Sequence, residues 1–450
     1  MEQNIYEQKS LTKLIFIFGI PSILSLMIEM LTGVVDTAFA GNLAGIGGSA
    51  LSAMALLSPL LTIFTALQTL FAISTGILIA KYLNHAEQQN KSYATGIIMS
   101  LLVATCTSLI CYFSLTNILT MLGAEGEIFG LARQYLQIQL FSNIVSSIGY
   151  TLTCCIRAFG FPKIEVVIIC GAVIVNIICN YIFAYLLNMG ISGLALGTLV
   201  SEIICAICAV LFLLNKRLLP QKKGLSFTCF MHSTWELFKI GVAQTVIQML
   251  VGCTGLVMNA RLLSLGTMTH VAAWNVVLRI YTLTLMPIVG LTQGVQSIIA
   301  YFSGNNKQNK IKQVSKKTML FCSGYGIFAM MIMMLFAGNF AGVFGGSLEI
   351  ASIAQVVLRI VFIGFPFIGV LYTDMTLLQV TGHEVASVLL ILSRQVLFLI
   401  PLVYIVPYFA SLANWNVSPI MALFFSMPIA DLLSVIFGLA VKKRVGDKRN

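Results

Sequence analysis

The sequence predicts an all-α polytopic membrane protein of twelve transmembrane helices in two pseudo-symmetric six-helix lobes. With 450 residues, 58% hydrophobic and only 9% charged, the chain is too apolar and too sparsely charged for a water-soluble globule. Continuous apolar stretches near or above the ~20 residues that span a bilayer recur along its whole length. A closed barrel would instead show ~10-residue alternating segments. Finally, the chain is written twice. Positions 222 apart place Thr32-Gly33-x-Val35-x-x-Ala38 on Thr254-Gly255-x-Val257-x-x-Ala260 and Ala158-Phe159-Gly160 on Val380-Thr381-Gly382. After a seven-residue slip in a loop, Ser201-Glu202 falls on Ala430-Asp431.

The first apolar stretch, 14–40, contains Pro21, Glu29 and Asp36. Its Ala38-Phe39-Ala40 resembles a signal-processing site, but the run is longer than a signal core and carries two acids, so it reads as an uncleaved first helix. The second and third stretches, 50–80 and 93–113, are joined by a polar connector from Lys81 to Lys91. The fourth, 135–157, ends at Arg157, and the fifth, 164–187, carries Asn176 and Asn180. In the sixth, 190–214, Gly193-x-x-x-Gly197 permits close helix approach, because small residues let backbones pack where apolar burial cannot distinguish helix from lipid.

Lys216-Arg217, Pro220 and Lys222-Lys223-Gly224 then interrupt the pairing, which divides the chain into a lobe over 1–214, a linker over 215–235 and a lobe over 236–450. Six further stretches follow at 236–262, 271–300, 318–345, 352–380, 384–407 and 416–440. Pro59, Pro287, Pro366, Pro401 and Pro428 join Pro21 inside spans, where each removes a backbone donor and invites a kink.

A net charge of +11 raises the question of nucleic acid, and the placement of the 26 basic residues answers it. Lys9, Lys13, Lys81, Lys91, Arg157, Lys163, Lys216, Arg217, Lys222, Lys223, Lys307, Lys310, Lys312, Lys316, Lys317, Lys442, Lys443, Arg444, Lys448 and Arg449 all fall on one side of the twelve-span map, and the opposite loops carry almost none, Arg133 being the clearest exception. By the positive-inside rule both termini are cytoplasmic, and the excess suits anionic lipid headgroups, so no nucleic-acid partner is expected.

A charge at mid-membrane costs ~2.5–3.5 kcal/mol on insertion scales, which makes intramembrane acids functional candidates. Glu29, Asp36, Glu202, Asp374 and Asp431 qualify. Glu29 and Asp36 lie seven residues apart, on one helix face with ~10 Å of rise between them. Asn176 and Asn180 stand at i, i+4 spacing and Thr198 lies one turn from Glu202, so these side chains can line one polar pocket. Burial favours the protonated form of a carboxylate, which suits a proton carrier. The same amide, hydroxyl and carboxylate oxygens equally suit sodium. A purely structural reading, with Asp36 at a helix end and the asparagines bonding between helices, stands beside this one. Arg279 and Arg394 are the notable cations of the second half, and for Arg279 a charge partner or a water-filled cavity is expected.

No soluble-enzyme motif is present. The chain lacks a phosphate-binding glycine loop followed by Lys-Ser/Thr, a zinc-protease histidine pair and a nucleophile elbow. Cys205-x-x-Cys208 sits mid-span without nearby histidine and reads as apolar packing rather than a metal or redox site. Neither a resident cofactor nor a bound metal is expected beyond a coupling ion.

Val35-Asp36-Thr37-Ala38-Phe39-Ala40-Gly41 resembles the signature that ends the first helix of the multidrug and toxic compound extrusion (MATE) family. Arg157-Ala158-Phe159-Gly160, Asn176 and Asn180, Gly190-x-x-Gly193-x-Ala195-x-Gly197-Thr198, Leu278-Arg279 with Pro287 and Gly290, and Leu378-Gln379-x-Thr381-Gly382 extend the resemblance over the full chain. Its details lean toward the bacterial branch of DinF-like and MepA-like exporters.

The resemblance implies two lobes around a central cavity that exchange an organic compound for an inward-moving H+ or Na+, with Asp36 as the coupling residue and Asn176, Asn180 and Thr198 in the same cluster. Glu29, Gln248, Arg279 and Asp374 become candidates for the substrate cavity or its gating. The sequence departs from relatives at Asn180, where many carry aspartate, and in the seventh span, where Ala243, Gln244 and Gln248 stand in place of a glutamate. The expected protein is a secondary active antiporter of small organic, cationic or aromatic, compounds, acting as a monomer in the bacterial plasma membrane. Two alternatives stay open: a flippase for lipid-linked precursors, and an intramembrane transferase enzyme. The few in-span arginines disfavour a pyrophosphate-lipid cavity, and no paired acidic motif for magnesium supports the enzyme.

Overall fold

Every regular element in the computed structural model is helical, over described residues 5–220, 226–344, 347–412 and 418–447. Lys222, Lys223 and Gly224 of the expected linker, and the charges Lys448 and Arg449, lie outside the described residues. The membrane-length helices are α1 (Leu11–Gly41), α2 (Gly47–Lys81), α3 (Ala86–Phe113), α4 (Gly126–Ala158), α5 (Pro162–Leu186), α6 (Gly190–Asn215), α7 (Phe227–Leu265), α8 (Met268–Gly304) and α9 (Gln308–Phe344). After them come α10, bent by 50° between Leu348–Phe362 and Phe365–Val380, then α11 (Glu384–Leu412) and α12 (Pro419–Arg444).

Among the described residues ten helices are individually long and apolar enough to cross a membrane, and the bent α10 adds an eleventh. The 33-residue α4 completes the expected twelve. Its apolarity is diluted by Ser142, Asn143, Ser147 and Thr151, all buried. Three of the four have an interhelical partner: Asn143 donates to Ser108 Oγ (2.9 Å), Ser147 to the Ser100 carbonyl (3.1 Å) and Thr151 to Ser100 Oγ (2.9 Å), while Gln68 donates to Asn143 Oδ1 (2.8 Å). Polar side chains in a membrane protein are tolerated where neighbouring helices satisfy them.

Among the described residues two helices depart from α-geometry. α5 ends in a π-helical segment, Tyr181–Leu186, and α11 contains another, Ser393–Leu399. The chain forms two compact units, 1–245 with 300–307, and 246–299 with 308–450. In the first unit α1 packs on α5, α5 on α6, and α4 on α2, α3 and α6. In the second, α9 packs on both arms of α10, and the second arm of α10 packs on α11 and α12.

A short N-terminal helix, Ile5–Gln8, is built into the first unit rather than left at the surface. Tyr6 is 1% exposed, stacks on Tyr301 at 4.6 Å and donates to the Ala158 carbonyl at 2.8 Å. Glu7 accepts from Lys307 (2.5 Å) and Tyr301 (3.1 Å). Nearby in sequence, Asn84 donates to Asn305 (2.7 Å), and Lys81 and Tyr82 share Glu236 (3.0 and 2.8 Å). Tyr6→Ala removes a buried ring and is expected to destabilise the protein by about 3 kcal/mol or more. Tyr6→Phe, which loses one hydrogen bond, is expected to cost about 1 kcal/mol. Thermal unfolding of the purified variants checks the order, and an equal effect of the two would show that the ring contributes nothing.

Candidate functional site

Asp36 lies five residues before the end of α1, partly buried. Asn180, fully buried, is the last α-helical residue of α5 before the π-segment begins. Its Nδ2 donates to Asp36 Oδ1 at 2.6 Å and to Asn176 Oδ1 at 3.2 Å. Asn176 Nδ2 in turn donates to Thr198 Oγ1 at 3.4 Å, and Thr198 donates to the Leu194 carbonyl at 3.2 Å. The structure therefore links all four residues expected to hold the coupling ion into one chain across α1, α5 and α6.

Local backbone design makes this contact possible. The π-segment after Asn180 widens the helix where π-bulges often accompany functional sites, and Tyr185 within it donates to the Phe39 carbonyl at 2.7 Å, tying α5 to the end of α1. Gly193 and Gly197 of α6 face α5: a Cβ on Gly193 would come within 2.6 Å of the Ala184 amide nitrogen, and one on Gly197 would collide with Asn180 Oδ1. Gly197→Ala is therefore expected to push the Asn180 amide off Asp36. The variant should insert and fold at a cost of about 1–3 kcal/mol yet transport poorly, and wild-type transport rates in Gly197→Ala would show that the Asn180 position is not needed.

One atom of this cluster stands out. Among the described residues Asn180 Oδ1 is buried and accepts no hydrogen bond. It lies on the side of Gly197, while Nδ2 of the same amide faces Asp36.

The remaining predicted residues divide differently. Glu29 is exposed on α1, separate from the hydrogen-bonded Asp36 chain. Gln248 is half-buried on α7 and belongs to the second unit. Arg279 is exposed on α8, with no ion pair among the described residues. Asp374, 2% exposed, pairs with Lys442 of α12. Arg394 and Asp431 form a buried pair at 2.6 Å, and Arg394 also donates to Tyr281 at 3.0 Å. The repeat relation between positions 202 and 431 does not extend to their partners, because Glu202 has no such cation among the described residues.

Sequence reasoning missed a buried pair in the first unit. Arg157 lies 3.4 Å from Glu165 and donates to Ser22 Oγ at 3.1 Å. The available signal was opposite charge flanking the Phe159-Gly160-Phe161-Pro162 turn, which folds the end of α4 back beside the start of α5.

The MatE family model matches residues 21–182 and again 244–405, once in each sequence repeat. The multidrug export protein MepA of Staphylococcus saprophyticus is 24% identical over 404 residues, covering 89% of this chain and 88% of its own. MepA of Staphylococcus aureus is 27% identical over 423 residues, covering 90% and 89%. A crystal structure of a variant of the Vibrio cholerae MATE transporter VcmN superposes with a TM-score of 0.90 at 19% identity, covering 98% of both chains. At that identity the match establishes a shared fold across the whole chain.

Proposed function

The chain belongs to the MatE family of multi-pass membrane transporters and is not an enzyme, and we propose that it is a secondary active antiporter. In this reading it exports organic, cationic or aromatic, compounds in exchange for H+ or Na+, as a monomer in the bacterial plasma membrane with both termini cytoplasmic. The observation that carries the reading is the hydrogen-bonded run from Asp36 through Asn180 and Asn176 to Thr198, which ties an intramembrane carboxylate to two further helices.

An ionised Asp36 can only accept hydrogen bonds, so it takes the Asn180 Nδ2 donor. A protonated Asp36 has a hydroxyl to give, and rotation of the Asn180 amide would present Oδ1 to receive it. The Nδ2 that now bonds Asn176 would move with that rotation, so loading Asp36 would be transmitted through Asn176 to Thr198 on α6. Na+ would serve the same chain if the carboxylate held it together with amide and hydroxyl oxygens of the cluster, since hard oxygen ligands suit it. Glu29 and Arg279, both exposed charges within spans, remain the candidates for contact with the organic substrate, and Gln248 a polar one. Asp374 is assigned to gating through its bond to Lys442.

One charge moving down 100 mV supplies ~2.3 kcal/mol, enough for a roughly fiftyfold gradient of a neutral substrate. Uptake and efflux of a fluorescent cationic dye in liposomes containing the purified protein, under an imposed proton or sodium gradient, tests the proposal. Dye accumulation driven by one of the two gradients is the expected result. No gradient-driven movement for any of a panel of organic cations would overturn it.

A further inference from the structure

The N-terminal ends of α1 and α5 flank a groove of about 700 Å3 that takes no part in the Asp36 cluster. Its wall is apolar: Ile17, Ile20 and Leu24 of α1, with Val166 of α5. The three α1 residues follow helical spacing and form one stripe. Lys13 stands one turn before Ile17 on the same stripe, and Lys163, in the first turn of α5, also lines the groove. Asp36, late in α1, meets Asn180, late in α5, so the two helices run side by side in the same direction. Lys13 and Lys163 therefore lie at the same end, with roughly 16 Å of helix rise from Lys13 to Leu24 along the apolar stripe.

Both lysines are exposed, and neither has an acidic partner among the described residues. The neighbouring acids are engaged elsewhere: Glu165 is 3% exposed and turned to Arg157 at 3.4 Å, and Glu7 accepts from Lys307. The positive ends of two helices add to the same field. Two unneutralised cations at the mouth of an apolar groove, on helices that enter a membrane there, complement a ligand with an anionic head and a hydrocarbon tail. A zwitterionic lipid would leave the lysines half-compensated, and a free anion would leave the apolar wall unused.

The geometry points to a binding site for an anionic phospholipid, its phosphate held by Lys13 and Lys163 and one acyl chain laid along Ile17, Ile20, Leu24 and Val166. Basic pockets between transmembrane helices are a recognised means of selecting anionic headgroups. The site is independent of the antiport assignment.

Native mass spectrometry of the full-length purified protein, titrated with phosphatidylglycerol or with phosphatidylcholine of the same acyl chains, tests it. Wild type is expected to prefer the anionic lipid. Lys13→Gln combined with Lys163→Gln is expected to lower that preference more than tenfold, at about fivefold per lysine. Lys312→Gln combined with Lys316→Gln, which removes the same charge from exposed positions on α9, is expected to leave it unchanged. An unaltered preference in the groove variant, or an equal loss in both variants, would overturn the assignment. Competition by glycerol 3-phosphate as strong as that by the intact lipid would overturn it too, because the apolar wall would then play no part.

Discussion

Asp36→Asn is expected to abolish ion-driven transport while leaving the protein folded and able to bind its organic substrate. Asparagine has nearly the same shape and can still accept from Asn180 Nδ2, which bonds Asp36 at 2.6 Å, but it can neither carry a proton nor neutralise a sodium ion. Without a coupled ion the imposed proton or sodium gradient no longer drives the dye, so its accumulation should fall to equilibration. Accumulation ratios in liposomes and thermal midpoints, read on the same preparations, separate uncoupling from misfolding. Retained gradient-driven accumulation would remove Asp36 from the coupling role. Asn180→Asp, which sets a second carboxylate against the first, is expected to change the pH dependence or the ion preference rather than to abolish transport.

The largest expected effect on stability lies in the second unit. Asp431 accepts from Arg394 at 2.6 Å, and the two side chains are 2% and 11% exposed. Asp431→Asn leaves the guanidinium buried without its counter-charge and is expected to cost about 3–5 kcal/mol. Replacing both partners with apolar residues, Arg394→Met with Asp431→Leu, should cost far less, since a well-packed apolar pair avoids desolvating two charges. Asp374→Asn is expected to cost less than Asp431→Asn, because its partner Lys442 is 29% exposed and can turn to water. Thermal or denaturant unfolding in detergent ranks the variants. A double replacement as harmful as Asp431→Asn alone would mean that the pair is needed for its own sake.

The fold was largely legible because lipid imposes a simple rule: a spanning helix must be long and apolar. The same rule explains α4, where Asn143, Ser147 and Thr151 weaken the apolar signal and are satisfied by a neighbouring helix. Within the site, the i, i+4 spacing of Asn176 and Asn180 placed two amides on one face of α5, and the acid at Asp36 was conspicuous for its cost in a membrane. Contact between Asp36 and Asn180 spans 144 positions, and nothing local encodes it. The π-segment after Asn180 is equally silent, because a change of a fraction of a residue per turn over Tyr181–Leu186 leaves no periodic trace in six residues.

Charge pairing was read less well, for a related reason. Lys442 and Arg157 looked like topology signals at the ends of spans, whereas the structure turns Lys442 to Asp374 and Arg157 to Glu165. A positive charge near a helix end satisfies the membrane interface and an acid in the bundle equally well, and only the fold decides which it meets.

The proposal that the exchanged ion is held at the Asp36 cluster is tested most directly by measuring substrate affinity of the purified protein across a range of proton or sodium concentrations, because an exchanger that loads one or the other makes the two compete. The account predicts that the apparent Kd rises about tenfold for each tenfold rise in the coupling ion once its site is filled, and that Asp36→Asn makes the affinity independent of that ion. An equal ion dependence in wild type and Asp36→Asn, or none in either, would contradict it.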